Sequence, residues 1–329
     1  MTTTLLDPET QFVVDGIRRA KTPPLSACTI ADARRIYAKG LRVLDIAPDP
    51  AVAVEDRSLA AAHGDIPVRV YRRAGDAPFA GPVLLWFHGG GYCVGSIETA
   101  DIVCRMFAAA CACTVVSVEY RLAPEHPFPA AVDDAFGAYR ALLDELGDAP
   151  AARPIAIAGD SAGGTLALVT SLLARDASVA LPAAQLLVYP IALGRRQTAS
   201  RTLFGEGLFL TLQDLRWFCA QYAGERDLDA DFRFAPIAAT SLAGLPRTFI
   251  AAAQCDPLHD DAVALAAALA DARNDVRCEV YAGMTHGFFQ MGGFVARART
   301  AHRDACAFLA DAWGSAQDEA AATTGLSHA

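Results

Sequence analysis

The 329-residue sequence predicts an α/β fold, a mostly parallel sheet flanked by helices with a helical cap over the ends of its strands. Three observations predict it. From about Pro67 onward, short runs rich in Val, Ile and Leu alternate with amphipathic helical stretches, the rhythm of a parallel sheet covered on both faces. Two segments break that rhythm with helical patterning of their own, and a content of 53% hydrophobic against 20% charged residues excludes disorder for most of the chain.

The expected strands are Val68–Arg72, Val83–His88, Thr114–Glu119, Ile155–Ala158, Gln185–Tyr189, Thr248–Ala252 and Arg277–Tyr281. Between them, helices are expected at Thr99–Ala112, Pro129–Leu146, Ala162–Arg175, Asp260–Ala272 and Phe294–Ala312. Residues 1 to about 50 show helical periodicity without strands, through Phe12, Val13 and Ile17, then Ile30, Ala33, Ile36 and Tyr37. Residues 191–235 separate two strands by far more than a crossover takes. Within them Thr211-Leu-Gln-Asp214 is a capping box, Leu212, Leu215, Phe218 and Tyr222 form one apolar face, and Gly224 is the natural stop. The two segments are expected to pack together where open α/β sheets bind ligands. The division is therefore 1–55 and 191–235 for the cap, 56–190 and 236–314 for the core, and 315–329 for a flexible, alanine-rich tail.

Composition narrows the function. The longest apolar runs, such as Val83–Phe87 and Ala262–Ala270, fall well short of the roughly 20 residues of a membrane span. Met1–Thr10 shows neither the basic nor the apolar region of a secretory signal, so the cytoplasm is the expected location. The nine cysteines have no framework spacing, and Cys104, Cys219 and Cys306 fall on apolar helix faces, as buried thiols do in a reducing compartment. Cys111 and Cys113 form only a C-x-C, with no partner pair to make a metal site. A net charge of −9 offers no basic stripe for nucleic acid.

The chemistry gathers at strand ends. Pro154-Ile-Ala-Ile-Ala-Gly159-Asp160-Ser161-Ala162-Gly163-Gly164 reads as a buried strand, a G-x-S-x-G turn and a helix. Acyl transfer needs a serine on a strained turn, and glycines on either side let strand and helix approach without Cβ clashes. A Ser/Gly turn that merely caps a helix is the bland alternative, and the flanking strand and helix weigh against it. Ser161 is the expected nucleophile, with the helix dipole and the Ala162 N–H favouring negative charge beside it. His88-Gly89-Gly90-Gly91 follows an earlier strand, where successive glycines can aim their N–H groups at one point. Gly89 and Gly90, with Ala162, are the expected oxyanion donors, and His88 braces the loop. A phosphate-binding loop is excluded by the missing Lys-Ser/Thr.

An elbow of this kind takes its acid and then its base from later strand ends. Asp256 follows one strand and His286 the next, whereas His302 lies mid-helix, His328 in the tail and His259 only three residues from Asp256. Asp256 is therefore the expected acid and His286 the expected base. Asp260 and Asp261 suit a helix's first turn, and with His259 they are not taken as a metal cluster. Tyr92, Asp160, Phe209, Leu210 and Trp217 are the candidate substrate contacts, Trp217 fitting a core role equally well.

Together these residues resemble the bacterial hormone-sensitive-lipase family of esterases, the family IV lipolytic enzymes of the α/β-hydrolase fold. The resemblance rests on His88-Gly-Gly-Gly-Tyr92, Tyr120-Arg-Leu-Ala-Pro-Glu-His-Pro-Phe-Pro-Ala-Ala-Val-Asp-Asp134, Gly159-Asp-Ser-Ala-Gly-Gly164, Asp256-Pro-Leu-His-Asp260 and His286-Gly-Phe, in that order over roughly residues 60–310. It implies an eight-stranded sheet, a cap from the N-terminus and a mid-chain insertion, and hydrolysis of short- to medium-chain acyl esters without a cofactor. It also implies a homodimer and a charged brace of Arg121, Glu125 and Asp134 beneath the site. His259, Glu119 and Cys255 depart from the family's usual Arg, Asp and Tyr. Two other functions fit the same fold, a ligand receptor without turnover and an amidase or peptidase using the same three residues. The first usually lacks one of the three residues, and the second has no charged specificity pocket here.

Overall fold

The computed structural model describes residues 5–147 and 153–326, with the backbone alone from 317 on. The strands are β1 (Val52–Ala61), β2 (Gly64–Arg73), β3 (Val83–Phe87), β4 (Thr114–Val118), β5 (Ile155–Asp160), β6 (Ala184–Val188), β7 (Arg247–Cys255) and β8 (Val276–Thr285). They form one eight-stranded sheet in the order β1-β2-β4-β3-β5-β6-β7-β8. β2 runs antiparallel to both of its neighbours, and every other pair is parallel.

The reason the central strands read as unbroken apolar runs is visible in β3. Val83, Leu85 and Phe87 belong to one buried cluster, and Leu84 and Trp86 to the other, because helices cover both faces. The first cluster packs under α4 (Ala130–Leu146), α5 (Ala162–Asp176) and α8 (His259–Asp271). The second packs under α3 (Ile97–Cys111) and α9 (Ala296–Leu326).

Two features differ from expectation. No strand was anticipated before Pro67, yet β1 pairs with β2 along its whole length. Its middle is Glu55-Asp56-Arg57 and most of it is half or fully exposed, as suits a sheet edge, so no apolar pattern marks it. At the other end the backbone of α9 continues to Leu326, past Gly314 where a flexible tail was expected; residues 327–329 lie outside the described residues.

The remaining helices are α1 (Pro8–Arg19), α2 (Ile30–Leu44), α6 (Ala199–Leu203) and α7 (Leu212–Ala223). Asp7, Thr29 and Thr211 cap α1, α2 and α7 by accepting backbone N–H groups, and Gly224, with φ of 62°, ends α7. The N-terminal and inserted segments meet where the Ser26 N–H donates to Asp214 (3.0 Å) and Arg18 to the Gly207 carbonyl (2.8 Å). Because β3, β5, β7 and β8 are parallel, the loops carrying Gly89–Gly91, Ser161, Asp256 and His286 all leave the same edge of the sheet. That edge is where open α/β sheets place their ligands.

Candidate active site

Close packing of β3, β5 and α5 shapes the serine turn. A Cβ on Gly163 would overlap the carbonyls of Phe87 and His88, and one on Gly159 the backbone of Gly163. Between them Ser161 adopts φ 55° and ψ −119°, a conformation rare for residues with a side chain, held by its N–H donating to Val188 O at 2.8 Å. This strain lifts its hydroxyl off the end of β5.

The three predicted groups come together across separate loops. His286 Nε2 lies 3.0 Å from Ser161 Oγ, and Nδ1 lies 2.8 Å from Asp256 Oδ2. Asp256 is fully buried, and its other oxygen accepts the Leu258 N–H at 2.8 Å. The carboxylate therefore fixes the ring with Nδ1 protonated and leaves the Nε2 lone pair facing the serine.

The glycine loop differs from expectation by one residue. Gly89 donates its N–H to Asp160 Oδ1 at 2.9 Å, and it lies outside the cavity lining, so it does not suit an oxyanion. Gly90 and Gly91 do line the cavity, and among the described residues neither N–H has a hydrogen-bond acceptor. Both have positive φ, 116° and 58°. A Cβ would strike Val94 O at Gly90 and the Phe218 ring at Gly91. Ala162 opens α5, where its N–H has no partner within the helix.

Asp160 holds this loop. Its Oδ2 also accepts from Gln290 Nε2 at 3.3 Å, and burial pushes its carboxyl up to about 6, against the lowering effect of His286 and the Gly89 amide. Behind the loop, His88 Nδ1 sits 2.7 Å from Gly89 O, and the Tyr120 hydroxyl donates to His88 O at 2.7 Å. Burial pulls the His88 imidazole down to about 4, so it is neutral at pH 7 and acts as a brace.

A cavity of about 1190 Å³ opens above Ser161 and His286. Tyr92, Asp160, Phe209 and Leu210 line it as expected, and Phe209 packs against Gly287 beside the base. Trp217 does not: it is half-buried against the apolar core and packs on Phe218, with ring centroids 5.2 Å apart. The sequence had placed α1 and α2 over the site without naming contacts, and Val13, Ile17 and Tyr37 from them line the cavity. Their helical apolar periodicity was the signal. Gln290 carried none.

The brace also needs correcting. Arg121 pairs with Asp134 (2.8 Å), whose Oδ1 meets His63 Nε2 (2.7 Å), but Glu125 turns instead to Arg34 of α2 (2.6 Å). Arg34 further donates to the carbonyls of Cys93 (2.9 Å) and Ala123 (3.1 Å), tying α2 to the glycine loop. The acidic group after β7 is equally dispersed: Asp260 accepts the Ser200 N–H, and Asp261 pairs with Arg201 at 3.0 Å.

Residues 84–290 match the family described as the alpha/beta hydrolase fold. The chain is 39% identical over 298 residues to the carboxylic ester hydrolase LipN of Mycobacterium tuberculosis, covering 88% of this chain and 79% of that protein. It is 36% identical over 294 residues to the ethyl acetate hydrolase of Pseudomonas putida, covering 88% and 92%. Among solved structures, an α/β-hydrolase enzyme from the metagenome of Lake Arreo, Spain, superposes with a TM-score of 0.89 at 36% identity, over 94% of this chain and 99% of that one.

Proposed function

This chain belongs to the hormone-sensitive-lipase-like (family IV) esterases of the α/β-hydrolase superfamily, and on that premise we propose that it hydrolyses carboxylic esters through an acyl-enzyme on Ser161. The observation that carries the proposal is the unbroken relay from Ser161 Oγ to His286 (3.0 Å) to Asp256 (2.8 Å). Ser161 Oγ attacks the ester carbonyl as His286 Nε2 takes its proton, and Asp256 stabilises the imidazolium that forms. The negative charge then developing on the carbonyl oxygen is met by the N–H groups of Gly90, Gly91 and Ala162. His286 returns its proton to the leaving alkoxide, releasing the alcohol. Water, deprotonated by His286, then attacks the acyl-enzyme, and the acid leaves as Ser161 regains its proton.

Substrates are small esters with short to medium acyl chains. The ethyl acetate hydrolase among the relatives and the apolar residues around the 1190 Å³ cavity both support that range. The cytoplasm is favoured by nine cysteines that are all unpaired, and a homodimer by family resemblance. Ser161→Ala tests the mechanism. In protein shown folded by circular dichroism, kcat on a short-chain p-nitrophenyl ester should fall by at least roughly 10⁴-fold. A rate near wild type would overturn the assignment.

A further inference from the structure

Lysine occurs only at positions 21 and 39 in the whole chain, and both side chains stand exposed at the mouth of the same cavity. They belong to a wider pattern. Residues 8–44 hold seven basic and three acidic residues, a surplus of four positive charges on a chain of net charge −9. Among the described residues, every exposed charged side chain lining the cavity is basic: Lys21, Arg35, Lys39, Arg195 and Arg216. The two carboxylates there, Asp160 and Asp214, are buried. Arg35 pairs with Asp32, and Arg195 with Asp227 and Asp229. Among the described residues Lys21, Lys39 and Arg216 have no carboxylate within 4.0 Å.

Beside these cations lies an exposed apolar patch. Phe12 is 60% exposed, Val43 62% and Phe294 43%, and all three line the cavity mouth. They come from three elements that meet. The Phe12 and Phe294 ring centroids are 6.5 Å apart, and the Gly293 N–H donates to Leu44 O at 3.2 Å, bringing Phe294 to the end of α2. Arg35, Lys39 and Val43 recur at intervals of four along α2, so they share one face.

We propose that this face docks on an anionic lipid surface, setting the cavity mouth against the acyl layer. Grouped apolar side chains ringed by Lys and Arg are what helices lying in a membrane interface present. Lysine stems can bury their methylenes while the ammonium stays among headgroup phosphates. Charge complementarity also fixes the orientation. An acidic protein is repelled by an anionic surface from every side except one that carries a positive surplus.

Sedimentation of the full-length protein with phosphatidylcholine vesicles, with and without phosphatidylserine, tests this. Binding is expected only with phosphatidylserine, weakening as NaCl is raised. At about fivefold per cation, K21E/K39E should lower the partition coefficient by roughly 25-fold or more, whereas K21R/K39R should preserve it. F12S/V43S should also weaken it, with folding of each variant checked by circular dichroism. Ser161→Ala should bind like wild type, so failure of the catalytic reading leaves this test intact. No binding, equal binding to both vesicles, or binding unchanged by K21E/K39E or by F12S/V43S would overturn the proposal.

Discussion

Gly91 is the residue on which the proposed oxyanion site turns. Its φ of 58° and the Phe218 ring against its Cα leave no space for a side chain, so Gly91→Ala must move the loop or the ring. We expect kcat to fall by about 10²- to 10³-fold, the cost of losing one oxyanion donor. Gly81→Ala, where a Cβ would meet nothing within 4 Å, is the control. Equal rates for the two variants would remove Gly91 from the site. Three consecutive glycines are interchangeable to a reader of sequence. What separates Gly89 from its neighbours is a carboxylate 71 positions away, since Asp160 claims its N–H.

At the level of elements, α9 braces the turn that follows His286, the proposed base. His302, on α9, lies 2.6 Å through Nε2 from Phe289 O, in the short 3-10 turn Phe288–Gln290 that follows His286. Burial, aided by Arg299 and Arg303, pulls its imidazole from 6.5 down to about 4, against the raising effect of the Phe289 bond. The unfolded chain therefore binds one more proton than the native one between those values. Stability on this account is fully present above about pH 6.5 and is lost as pH falls towards 4. Urea melts at pH 7, 5.5 and 4.5 should show wild type losing up to about 1.4 kcal/mol more per pH unit than His302→Gln. Parallel losses in the two proteins would show that His302 does not titrate this way. His302 was legible in sequence as a mid-helix histidine, but its partner was not, because nothing local couples α9 to that turn. β1 was missed for a related reason, as an edge strand is stabilised by its ladder with β2 rather than by an apolar face.

Across the whole molecule, one buried ion pair joins the inserted segment to a helix that covers the sheet. Arg201 of α6 is 5% exposed and Asp261 of α8 is fully buried. Asp261 Oδ1 also accepts the N–H groups of Ala192 (3.0 Å) and Leu193 (2.9 Å), where the chain leaves β6. Asp261→Ala would leave the guanidinium buried without a counter-charge and orphan both amides. Breaking a buried pair from one side costs about 3–5 kcal/mol, readable as a lower urea midpoint. A loss under about 1 kcal/mol would show that the inserted segment is held by its apolar contacts instead. In sequence Asp261 looked like a first-turn carboxylate complementing a helix dipole, a role it keeps. The larger role needs Arg201, 60 positions earlier, and only the fold brings it there.

By itself the sequence determined what is local. The β5–Ser161–α5 elbow, the glycine loop after β3 and the cap of α7 each depend on neighbours within a few residues, and the order of Ser161, Asp256 and His286 is read directly along the chain. Turn strain, helix capping and strand burial leave that kind of mark on composition and spacing. Tertiary structure decided what depends on distant partners: which glycines keep free N–H groups, that Trp217 faces the core, that Glu125 answers Arg34, and how α1 and α2 place apolar and basic side chains around the cavity mouth. Hydrogen bonds and packing across tens or hundreds of residues set these, and no short-range pattern encodes them.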